Sequence, residues 1–109
     1  MSLDQLPAEI FKHWIESRED RDNRPNVSVF RPRDFKFPPS RGRRGFEIKK
    51  NGEFILHEIG PADRPVKMVG NFTVEGLDKI KVYFEQRSPF TLKIVAIEDG
   101  GNILRVERL

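Results

Sequence analysis

Apolar and polar positions alternate most clearly over residues 45–59, where two period-two segments meet at Asn51-Gly52, the dipeptide most typical of a two-residue hairpin turn. Pairing Lys50 with Glu53 sets Ile48 opposite Ile55 and Phe46 opposite His57 on an inner face, and sends Glu47, Lys49 and Glu58 outward. The same period recurs along the chain. Residues 26–31 are β-branched and alternating after a turn-forming run at 19–25. Residues 66–74 align Val66, Met68, Gly70, Phe72 and Val74, and 79–86 answer with Ile80, Val82 and Phe84 across a turn at 75–78. Ser88-Pro89 is expected to break the chain, and 90–97 pair with 102–108 through 98–101. Pairing Ala96 with Leu104 there points Leu92, Ile94, Val106 and Arg108 inward.

Two stretches depart from this pattern. At the N-terminus Ser2 and Gln5 suit a capping box and Pro7 a first helical turn, which predicts a short helix to about Lys12. From there Ile10, Phe11, Trp14 and Ile15 have the spacing of a helix continuing to about Arg18, and a strand over 13–19 is the rival reading. Residues 32–44 contain Pro32, Pro38 and Pro39 and read as a long surface loop; with Arg31 the segment carries a net charge of +5. Counting 13–19 as a strand gives eight antiparallel strands, enough to close a small up-and-down barrel. Without it, seven strands would form a sandwich with an open edge.

Trp14, Phe30-Arg31-Pro32, Phe37-Pro38-Pro39-Ser40-Arg41-Gly42-Arg43, Gly45-Phe46-Glu47 and Gly70-Asn71-Phe72 together resemble small bacterial lipocalin-like proteins of the calycin type. The resemblance spans nearly the whole chain. It implies an all-β, eight-stranded antiparallel up-and-down barrel closed by a short N-terminal helix, and so favours the strand at 13–19. It also implies a tryptophan near the barrel floor, Trp14, with a basic side chain of the last strand, Arg108, against it.

Composition narrows the function classes. The 109 residues suit one domain; they include no cysteine and no apolar run near the ~20 residues of a membrane span, so a cytoplasmic protein without disulfides is expected. His13 and His57 are the only histidines, no catalytic motif is present, and neither a cofactor nor a metal is expected. If alternate loops go to opposite ends, the basic loop, the turns 60–65 and 86–89, and Arg108 gather at the Trp14 floor. The more acidic turns at 19–24, 50–53, 75–79 and 98–102 gather at the mouth.

The resulting expectation is a non-enzymatic barrel that holds a small apolar or weakly polar molecule. Its inward site comprises Trp14, Glu16, Arg18, Ile55, His57, Phe72, Val82, Ile94 and Arg108, and Trp14 emission should report binding. The alternative is an interaction module that uses Arg31, Arg33, Arg41, Arg43 and Arg44 on nucleic acid or another polyanion. Two outward apolar rows, Phe54 with Leu56 and Val95 and Ile97 with Ile103, suggest cover by the helix or a homodimer partner.

Overall fold

The computed structural model describes residues 6–39 and 42–109, so Ser2, Gln5 and Arg41 lie outside the described residues. The strands are β1 (His13–Glu16), β2 (Val27–Pro32), β3 (Gly45–Ile48), β4 (Glu53–Ile59), β5 (Pro65–Val74), β6 (Lys79–Phe84), β7 (Arg87–Glu98) and β8 (Ile103–Arg108). They form a closed, all-antiparallel barrel in the order β1-β2-β8-β7-β6-β5-β4-β3. Neighbours alternate up and down around the ring, and β3 to β8 follow one another as a meander. The one step off the meander is at the start, where β1 lies between β2 and β3.

The N-terminal helix is a single 3-10 turn, Ala8–Ile10, after which the chain extends into β1. Helical spacing at Ile10, Phe11, Trp14 and Ile15 is overridden because Trp14 folds back on the turn: its indole N–H donates to the Ile10 carbonyl at 2.9 Å. Both side chains are fully buried. The strand stops at Glu16, short of the expected Glu19, because buried Ser17 begins a turn in which its hydroxyl donates to the Asp20 carboxylate at 2.7 Å.

The central hairpin has a different turn. The Lys49 N–H donates to the Glu53 carbonyl at 3.0 Å and the Gly52 N–H to the Lys49 carbonyl at 3.1 Å, with Gly52 at φ +94°. The loop therefore has three residues, with glycine at the left-handed position, and the register moves by one. Phe46 faces Leu56 and Ile48 faces Phe54. A slip of one residue reverses a strand's faces, so Phe54 and Leu56 belong to the interior while Ile55 and His57 join the outer face. Phe54 is fully buried, with Phe46 stacked on it at 5.3 Å.

Two bulges correct the later strands. Val82 pairs with Phe90 but Phe84 with Arg87, so the extra residue sits around Ser88-Pro89 and β7 runs through the expected break. Proline is tolerated at such a bulge because no ladder N–H is needed there. Farther on, Ile94 pairs with Val106 as expected, but the shift at Val95 pairs Ile97, not Ala96, with Leu104. Ile97 then packs against the core. The outer rows on which a homodimer was expected thus lose Phe54, Leu56 and Ile97.

Candidate functional site

The position of β1 decides what each end of the barrel holds. β2 and β3 are both antiparallel to β1, so they run in the same direction and 33–44 must carry the chain from one end to the other. The turns at 49–52, 75–78 and 99–102 consequently lie at the Trp14 end. The turns at 17–26, 60–64 and 85–86, with Arg108, lie at the opposite end. This overturns the expected sorting of basic and acidic loops. It also separates Arg108 from Trp14: the Arg108 guanidinium lies 4.5 Å over the Phe90 ring, and the cation over Trp14 is Lys12, at 5.4 Å.

The Arg108 end holds a cavity of about 190 Å³. Its apolar wall is Phe30, Phe46, Phe54, Leu56, Phe90, Leu92 and Val106. Its polar side chains are Glu16, Asn26, Ser28, Arg44, Glu58 and Arg108, while His57 borders it with its ring turned to the outer face. Strand alternation explains the set, since Phe30, Phe46, Phe54 and Leu92 are core residues and the charged residues stand where strands meet the end loops. Glu58 also accepts from Arg87 at 3.1 Å.

Of the expected site residues, Glu16 and Arg108 line this cavity, and His57 borders it with its ring turned outward against Glu47 and His13. Trp14, Phe72 and Val82 are buried in the core away from it, Ile94 packs against that core, Ile55 is buried but outside the core cluster, on the outer side of the strand, and Arg18 is exposed in the turn after β1. Phe30, Phe54, Glu58 and Phe90 are members that sequence reasoning missed, and Arg44, expected in the polyanion alternative, stands at the cavity edge instead. A signal existed for Phe54 and Leu56: the predicted register left both in water while burying a histidine, a poor exchange for a barrel wall.

The arginine-rich loop turns toward carboxylates. Arg43 grips Glu19 with two bonds, at 2.8 and 2.7 Å, also donates to the Glu16 and Pro38 carbonyls, and lies 4.7 Å over Phe37. Arg31 donates to Asp20 at 2.6 Å and lies 4.2 Å over Phe35. Asp22 accepts from both Arg24 and Arg105. The Arg43 hydrogen bonds hold the Glu19 carboxyl down to about 2; Arg31 and Ser17 lower Asp20, and Arg24 lowers Asp22. Fork-shaped guanidiniums that meet carboxylates in this way brace the loop, and Arg31 and Arg43 are thereby engaged within the chain. Arg33 and Arg44 are exposed.

No family model, curated protein or solved structure matches the chain. No helix among the described residues is long and apolar enough to cross a membrane.

Proposed function

We propose that this protein is a lipocalin-like, non-enzymatic binding barrel of the cytoplasm that takes one small molecule into the cavity beneath Arg108. The observation that carries this reading is the cavity, aromatic below and charged at its edge. A void of roughly 150 Å³ lined by aliphatic and aromatic side chains is enough for benzene, so about 190 Å³ suits a single ring with a short polar tail. The edge presents both signs, Glu16 and Glu58 with Arg44 and Arg108. It therefore favours a weakly polar or zwitterionic group over a long-chain fatty acid.

The test is a panel of single-ring amines, phenols, carboxylates and amino acids, read by thermal shift and by amide chemical-shift changes. Saturable binding should move the amides of Phe90, Leu92 and Val106 and disappear in Leu56→Trp, which fills the cavity. If no compound shifts these amides at millimolar concentration, the barrel is not a calyx. Trp14 is a poor reporter, since it is sealed at the other end.

A further inference from the structure

The chain's only two histidines, far apart in sequence, meet on the outer face of the barrel. His13 of β1 pairs in register with Glu47 of β3, and His57 of β4 pairs with Gly45, two residues from Glu47 on the same face. Gly45 presents no side chain, which leaves His57 room to lean toward His13. Their rings stack at 4.5 Å and 19°. Both aim a nitrogen at one carboxylate oxygen: His13 Nδ1 is 3.6 Å and His57 Nε2 is 3.3 Å from Glu47 Oε1. The three ligand atoms all lie within 4.8 Å of one another.

We infer that His13, Glu47 and His57 bind one divalent transition-metal ion of the zinc class. Ligand bonds of 2.0–2.1 Å set tetrahedral ligand atoms about 3.3 Å apart, and two of the three separations are already close to this. Small side-chain rotations close the third. Two imidazoles with one carboxylate suit zinc, cobalt, nickel or copper, whereas calcium and magnesium take oxygen ligands. Three protein ligands leave room for water or a further group, as in an open site and unlike a sealed structural one.

The backbone supplies rigidity. His13 precedes the anchored Trp14, and Glu47 lies between buried Phe46 and Ile48. The side chains of His13, Glu47 and His57 are 21%, 27% and 28% exposed, enough for an ion to enter and too little for free rotation. Neighbouring cationic residues are Arg33, whose backbone N–H donates to the His13 carbonyl, and Lys67, in register with His57. Neither lies among the three ligands.

The experiment uses the full chain without a purification tag, freed of metal by chelator and titrated with Zn²⁺ by calorimetry and with Co²⁺ by visible absorption. One ion per chain is expected, with cobalt bands indicating low coordination and no competition from Mg²⁺ or Ca²⁺. Loss of an outer-shell partner alone weakens a metal site 10–100-fold. His57→Ala and His13→Ala should therefore weaken Zn²⁺ by more than about 100-fold, and Glu47→Gln by at least about 10-fold. His57→Asn, which keeps a polar side chain of similar reach, guards against misfolding, and circular dichroism should show all variants folded. Absence of stoichiometric binding at 1 mM Zn²⁺ would overturn the inference, and so would an affinity that survives all of these substitutions.

Discussion

The two ends of the barrel use the same strands and are finished in opposite ways. At the Trp14 end, Leu6, Ile10 and Trp14 are buried as a plug, and the Lys12 ammonium donates to the Gly101 carbonyl at 2.9 Å while lying over the indole. At the Arg108 end no such plug exists among the described residues, and charged side chains surround a void. An eight-stranded barrel is wide enough to be filled by its own side chains or to hold one small ligand. This molecule does the first at one end and keeps space for the second at the other.

The largest effect that separates the ends is Trp14→Ala. Removing a fully buried tryptophan side chain costs about 3–5 kcal/mol, part of it from the cavity left behind. Phe90→Ala removes a half-buried ring at the open end and should cost about half as much, roughly 1.5–2.5 kcal/mol, while enlarging the void. Urea denaturation followed by far-ultraviolet circular dichroism measures both. Equal losses would show that the open end is as tightly packed as the plug.

A smaller effect tests the hairpin turn at the closed end. Gly52 has φ +94° and open space where an alanine Cβ would stand, so Gly52→Ala meets backbone strain without a steric clash. The left-handed conformation costs an ordinary residue about 1–2 kcal/mol, and Gly52→Asn should recover part of this because Asn tolerates that region. An alanine variant as stable as the parent by the same denaturation would contradict the three-residue loop.

Much of the fold was legible because period-two patterning is local. The eight strands, the inward set Phe72, Ile80, Val82 and Leu104, and the strand through Trp14 follow from alternation together with the lipocalin-like resemblance. The hairpin register was not legible, because Asn-Gly suits both the two-residue and the three-residue loop, and Phe54-Ile55-Leu56 is apolar on either face. The bulge at Val95 hides in a similar run, Ile94 to Ile97. The place of β1 between β2 and β3 is a matter of ring neighbours, which no local pattern encodes. Its one trace was the length of 33–44, which suffices to cross the barrel from end to end at about 3.3 Å per residue. The cavity depended on all three features, and for that reason Phe46, Leu92 and Val106 were read as inward and Glu16 and Arg108 as site residues, while the rest of its lining went unread.

The finest distinction between the ends is their response to acid. Glu19, Asp20 and Asp22 belong to the open end, and each is held below the ordinary carboxylate range by an arginine hydrogen bond, Glu19 at about 2. A carboxylate whose pKa is lower folded than unfolded contributes stability that is complete above its unfolded value. That contribution is lost as pH falls through the folded one. The melting temperature should thus decline as pH drops from about 4.5 to about 2, while Trp14 emission below the transition stays constant, since among the described residues the indole meets the Ile10 carbonyl and the Lys12 ammonium, neither a carboxylate. Arg43→Gln returns Glu19 toward its ordinary pKa and should flatten that decline, leaving the slope due to Asp20 and Asp22. The Glu19 side chain is exposed to solvent, so salt should weaken its share and reduce the difference between variant and parent. If both proteins lose melting temperature along the same slope at low salt, the Arg43 pair does not brace the open end, and the loop is held by the stacking of Arg43 and Arg31 on Phe37 and Phe35 instead.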